Sequence, residues 1–260
     1  MTSMTIPVDP GTLRRDIVGS IKRREFARAI ELCDELEALS PSEPDSHVFR
    51  ARIAQRQQNF REAADHARQA LKTSPERFDV RLVEAESRIY AGDIAGAIER
   101  LRDIKKKARS DAEIMRQLSA LFTQLERHED ADQCAQASLA LEPRSINRRY
   151  LVASTSIALG KMGEAETWLN EVISAAPEEG DIYYNRATLR KQTTEKNHIP
   201  ELKRLLSSTP DDHPRITPIA YALGKELEDL GDHTAAFSAY TQGAQARRRR
   251  LAYDVSVDEA

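Results

Sequence analysis

Aromatic side chains are scarce, 5 % of 260 residues with a single tryptophan, so alanine and leucine supply most of the apolar packing. Ten glycines and eleven prolines are few for this length, which argues against a sheet protein with many tight turns and against a disordered linker. The two cysteines, Cys33 and Cys134, stand 101 residues apart in alanine-rich segments. That spacing is neither a disulfide framework nor a metal-ligand pattern, and both read as buried thiols. No sign of charge dominates: 39 Lys and Arg against 42 Asp and Glu give a net charge of -3, without the excess that draws nucleic acid or anionic lipid. The opening MTSMTIPVDPGTLRRD lacks the apolar core of a signal peptide, and no apolar run approaches the roughly 18 residues that cross a bilayer. A cytoplasmic protein with neither nucleic-acid nor membrane partners is expected.

What the chain does have is charge, 31 % of its residues, as befits helices that each present one solvated face. It also has a period. Ala29, Ala63, Ala97, Ala131 and Ala165 recur every 34 residues, as do the small residues Ala51, Ala85, Ser119, Ala153 and Ala187. A third column runs through Pro41, Pro75, Pro143 and Pro177, with Arg109 in the gap. Apolar residues three and four apart flank a polar turn, as in Leu118, Leu121, Phe122 and Leu125 before Arg127 and His128, and Ala131, Ala135 and Leu139 after. Each unit is therefore two amphipathic helices, with small residues where their axes approach and proline just after the second. A hairpin cannot bury its stripe alone, so the expected fold is all-α, an α-α superhelix (solenoid) of about seven stacked hairpins with a concave groove lined by first helices.

The expected organisation is an N-terminal tail over 1–12, an array over 13–254 and a C-terminal tail over 255–260. Its units cover about 13–42, 43–76, 77–110, 111–144, 145–178, 181–214 and 217–254, the boundaries following from the columns. The sixth is degenerate, because Ala165 and Ala236 are separated by two periods plus three residues; in it Pro200 suits a helix start and Leu202, Leu205 and Leu206 an apolar stripe.

These columns resemble the tetratricopeptide repeat family, whose unit carries small residues at positions eight and twenty, a large apolar residue at seventeen and proline at thirty-two. Phe26 and Phe60 match position seventeen, and Gly92, Gly160 and Gly231 position fifteen. The segment YALGKELEDLGDHTAAFSAY, with Leu223, Gly224 and Ala236 in register, is the best copy. The resemblance implies ligand contacts from positions two, five, nine, twelve and thirteen of the first helices. Position five reads Val48, Leu82, Arg116, Tyr150, Tyr184 and Tyr221, and position nine Arg52, Glu86, Ala120, Ser154, Thr188 and Lys225. The three tyrosines would form an aromatic row, or else fill gaps between hairpins. Arg52, Arg56, Arg116, Lys191 and Lys225 would make a mildly basic lining suited to an acidic peptide or protein. The asparagines of a clamp for chaperone tails are missing.

No GxxxxGKS or GxxxxGKT, GxGxxG, GxSxG, HExxH or paired CxxC is present, so neither catalytic residues nor a cofactor are expected. Asp211, Asp212 and His213 form a turn rather than a metal site. Trp168 reads as core, and the run Arg247–Arg250 as cations at the negative end of the last helix. The segment RRRRLAYD, Arg247 to Asp254, also resembles the junction of bacterial tetratricopeptide arrays with a sulfotransferase domain. That would make the chain a substrate-presenting region whose catalytic domain is absent. A partner-binding scaffold is the leading expectation; the other is self-association through the end hairpins, using Leu251 and Tyr253.

Overall fold

The computed structural model describes residues 9–210 and 212–251, which contain fourteen helices and no strand. They are α1 (Pro10–Lys22), α2 (Phe26–Leu39), α3 (Asp45–Arg56), α4 (Phe60–Thr73), α5 (Phe78–Tyr90), α6 (Ile94–Lys107) and α7 (Ala112–Gln124). Then follow α8 (His128–Leu141), α9 (Ile146–Ala158), α10 (Met162–Ala175), α11 (Gly180–Thr188), α12 (Ile199–Ser208), α13 (Ile216–Asp229) and α14 (His233–Arg250). The chain divides into two compact units, the first ending at Leu141 and the second starting at Glu142. Residues 1–8, Asp211 and 252–260 lie outside the described residues, and with them Tyr253, Asp254 and the C-terminal tail. The N-terminal tail expected over 1–12 overlaps α1, which starts at Pro10: Asp9 caps it by accepting from Thr12 N (3.1 Å), and proline at a first helical position has no N–H to leave unpaired.

Both small-residue columns are buried throughout. Pro41, Pro75, Pro143 and Pro177 each fall two residues beyond the last residue of a second helix. Position fifteen explains the glycines: Arg24, Gln58, Gly92, Glu126, Gly160 and Gly231 all have positive φ, between 56° and 83°. This left-handed residue ends six of the first helices, and the next N–H turns back five residues, as from Arg127 N to Phe122 O (2.8 Å).

In the first unit the core falls into three clusters, around Leu13, Ile17 and Leu36, around Val48 and Val80, and around Leu101, Leu118 and Phe122. Each mixes residues of adjacent hairpins, the neighbour-by-neighbour burial of a repeat protein. Cys33 and Cys134 are buried free thiols, pushed by burial to about 12 and about 11.

In the second unit a single core includes Leu169, Val172, Tyr183, Leu202 and Ile219, with Trp168 packed against it. The degenerate repeat keeps two helices, α11 and α12, but departs from a regular hairpin. α11 is only nine residues long, and α11 and α12 both pack on α13 without the close mutual pairing seen in the other six hairpins. Thr194 stands where the period would place the left-handed residue, and the chain instead runs through a loop from Leu189 to His198. Carboxylates from neighbouring helices satisfy that loop. Asp229 accepts from Gln192 N (2.8 Å), and fully buried Glu226 accepts from His198 N (2.5 Å) and His198 Nδ1 (2.8 Å). Glu166 accepts from Arg190 (3.0 Å) and Lys196 (2.6 Å); burial raises its carboxyl, but these two bonds outweigh burial and hold it below the usual range. α14 ends in its arginine run, where Arg250 Nη1 donates to Pro214 O (3.1 Å).

Candidate functional site

Arg52 and Arg56 lie one turn apart on α3, so both project from the same face of that first helix. In the first unit they border a cavity of about 300 Å³ together with Glu86 of α5, Gln55, and the apolar Val18, Ile21 and Phe49. Burial pushes the Glu86 carboxyl up, while the charges of Arg52 and Arg56 and a hydrogen bond from Gln55 pull it down, and burial wins. A proton on Glu86 would leave the two guanidiniums unopposed in the cavity, while a carboxylate there would offset one of them. Arg116 does not join them: on α7 it donates from Nε (2.9 Å) and Nη2 (2.6 Å) to Glu113 of its own helix.

In the second unit Tyr150 of α9 and Tyr184 of α11 keep 38 % and 41 % of their surface exposed. Asn185 Nδ2 donates to the Tyr150 hydroxyl (2.8 Å), tying α9 to α11 and orienting the Tyr150 phenol. Tyr221 has a different role. Its ring centre is 6.2 Å from that of Tyr240, and its edge lies 3.1 Å from where a Cβ on Gly243 would stand, so it fills the interior of the α13–α14 hairpin. The Tyr240 hydroxyl donates to Glu228 (2.7 Å), and burial together with that carboxylate raises its pKa. Lys225 is a clamp: Nζ donates to Arg190 O (2.5 Å) and to Asp229 (2.5 Å), holding the opened repeat against α13. Lys191 is exposed in the loop after α11, and its charge helps to keep Asp229 ionised.

The eight positions chosen by register thus resolve into a cationic pair, an exposed tyrosine pair and four residues with local partners or loop positions. Gln55, Phe49, Asn185 and Tyr240 were not singled out by sequence. Asn185 directly follows a position-five tyrosine, and that adjacency was the available signal. Among the described residues no three His, Cys, Asp or Glu side chains converge as metal ligands. His213 Nδ1 accepts from Arg215 N (3.3 Å), and Asp211 lies outside the described residues. No described helix is long and apolar enough to cross a membrane.

Sequence models of the tetratricopeptide repeat match residues 54–121 and residues 147–179. Human protein O-mannosyl-transferase TMTC1 is 28 % identical over 137 residues, covering 52 % of this chain and 15 % of that protein. Among solved structures, a thermophilic TPR protein of Thermus thermophilus is similar with a TM-score of 0.55 and 17 % identity, over 70 % of this chain and 98 % of the other. A tetratricopeptide repeat protein of Parabacteroides merdae gives 0.52 and 16 %, over 95 % of each chain. The chain carries tetratricopeptide repeats on an all-α helical-repeat fold. Neither repeat match reaches the segment from Arg247 that resembles a sulfotransferase junction.

Proposed function

We propose that this chain is a protein-interaction scaffold whose first helices hold a peptide or protein partner. The observation that carries the proposal is the cavity of about 300 Å³ in which Arg52 and Arg56 stand beside Ile21 and Phe49. Such a place takes an apolar side chain with a carboxylate next to it. The exposed rings of Tyr150 and Tyr184 offer the second unit's contact: flat, stiff aromatic area that loses little entropy on binding, the Tyr150 ring being already oriented by Asn185. Lys191 lies in the loop after α11, while Arg116, Tyr221 and Lys225 contribute through the local structure they hold. The narrower sulfotransferase association rests on the Arg247–Asp254 segment alone and gains nothing from the fold.

The test is selection of peptides from a random display library on the intact chain, followed by titration of the selected sequences. Acidic, apolar sequences that weaken about tenfold with Arg52→Glu and Arg56→Glu together support the cationic pair, two reversed charge contacts accounting for a change of that size. Selected sequences indifferent to both that change and Tyr150→Ala with Tyr184→Ala would refute the first-helix reading.

Self-assembly is the second reading, and Phe237, 73 % exposed on α14, favours it. Sedimentation over a wide concentration range distinguishes the two: a monomer throughout removes assembly, and a dimer lost on Phe237→Ser supports it.

A further inference from the structure

A second, larger cavity lies mainly among the second helices of the first unit and uses none of the first-helix residues proposed above as partner contacts. It measures about 540 Å³, within the range of sites that take small ligands or side chains. Its cations come from α6 and the turn that follows: Arg102, Lys105, Lys106 and Arg109. Its apolar surface comes from Met115 on α7 and from Ala137, Ala140 and Leu141 on α8, Leu141 being exposed.

The acid in this lining, Asp130, is already ion-paired. It accepts from Lys105 (2.7 Å) and Arg102 (3.1 Å), which hold its carboxyl below the ordinary range against the effect of burial. Lys105 is further committed to Gln133 Oε1 (2.7 Å). Lys106 and Arg109 meet no carboxylate among the described residues. Two solvated cations therefore flank a patch of methyl groups that water covers poorly. The same helix lacks such a surplus nearer its start, where Arg100 pairs with Glu84 (3.0 Å).

We propose that this cavity is a second docking site, for a protein segment that presents an aliphatic side chain flanked by carboxylates. The aliphatic group covers Ala137, Ala140 and Leu141, and the carboxylates meet Lys106 and Arg109. A long acyl chain fits less well, because Asp130 and Gln133 interrupt the apolar surface and would lose water to methylenes, whereas peptide amides can hydrogen-bond to them. The site shares no lining residue with the Arg52–Arg56 cavity and does not depend on it.

The test uses the full chain and three fluorescein-labelled hexapeptides, Glu-Glu-Leu-Leu-Glu-Glu, Lys-Lys-Leu-Leu-Lys-Lys and Glu-Glu-Ser-Ser-Glu-Glu, titrated by fluorescence anisotropy. The first should bind at least about tenfold more tightly than the other two, since each lacks one half of the complementarity. Lys106→Glu with Arg109→Glu should abolish that preference, and Ala140→Trp should weaken binding by filling the cavity; both positions are exposed, and circular dichroism verifies the fold. Arg52→Glu with Arg56→Glu should leave it intact. Equal binding of the three peptides, no binding at all, or a preference that survives Lys106→Glu with Arg109→Glu overturns the assignment. Loss only with Arg52→Glu and Arg56→Glu moves the acidic segment to the first-helix face and also overturns it.

Discussion

Gly224 occupies the small-residue position of the last first helix, where other units carry Ala51, Ala85, Ser119, Ala153 and Ala187. Gly224→Ala therefore looks benign, and helix propensity alone favours alanine by about 1 kcal/mol. The structure gives the opposite sign. An added Cβ would lie 2.5 Å from Cδ1 and Cε1 of Tyr240, where carbon atoms at contact are roughly 3.5–4.0 Å apart. The ring must move by about 1 Å, against Tyr221 and away from its hydrogen bond to Glu228. Overpacking of this kind costs about 1–3 kcal/mol and the strained hydrogen bond about 1 kcal/mol, which leaves a net loss of roughly 1–3 kcal/mol after the propensity gain. The register explains why alanine is harmless in the second to fifth units: the residue sixteen positions on is Ala67, Leu101, Ala135 or Leu169 there and Tyr240 in the last. Tyr240→Leu should therefore rescue Gly224→Ala, making the double variant more stable than the sum of the single changes. Urea unfolding followed through Trp168, the single tryptophan and packed on the second unit's core, reads the effect. A Gly224→Ala variant as stable as the parent or more so, or a double variant that is merely additive, would refute the reasoning.

Four further outcomes follow from the same geometry. Ser119→Ala should leave stability unchanged or raise it by up to about 1 kcal/mol, because the buried Ser119 hydroxyl has no partner and alanine fills this column in four other units; the urea midpoint measures it. Replacing Arg24, Gln58 and Glu126 together by glycine should stabilise the first unit, since non-glycine residues in the left-handed region lose about 1–2 kcal/mol each and glycine gives back about half of that gain in unfolded-chain entropy; thermal denaturation followed by circular dichroism checks it. Burial, with the charges of His47 and Arg50, lowers the His66 pKa below 6.5. The unfolded chain then binds more protons, so this contribution is complete above pH 6.5 and is lost as pH falls through the lowered value; His66→Gln should flatten that part of the stability profile. Cys33 and Cys134, with pKa values pushed to about 12 and about 11, should resist a disulfide reagent at pH 8 in the folded chain and both react in urea.

Packing constraints that repeat locally are readable in the chain, and those satisfied from a distance are not. The small columns were legible because every hairpin demands a residue of that size at the same place, and the buried Ala29 and Ala51 series meet it. The left-handed turn position was half legible: glycine marks it in three repeats, whereas Arg24, Gln58 and Glu126 adopt it without any compositional mark. The opening of the sixth repeat was signalled only by an extra three residues. What replaces its hairpin, Glu226 with His198 and Asp229 with Gln192, joins residues 28 and 37 positions apart. The candidate site shows the same division. Register puts Arg52, Arg56, Tyr150 and Tyr184 on first helices but does not reveal the partners that occupy Arg116 and Lys225, namely Glu113, Asp229 and the Arg190 carbonyl.

The central claim is that a partner lies against the first helices. It is tested most directly by photo-crosslinking a display-selected peptide, carrying a benzophenone at each position in turn, to the chain with Lys106→Glu and Arg109→Glu, so that the cavity between α6 and α8 is disabled. The account predicts crosslinks on α3 and α5 near Arg52 and Glu86, or on α9 and α11 near Tyr150 and Tyr184. Crosslinks confined to second helices, or scattered over the surface, would contradict it.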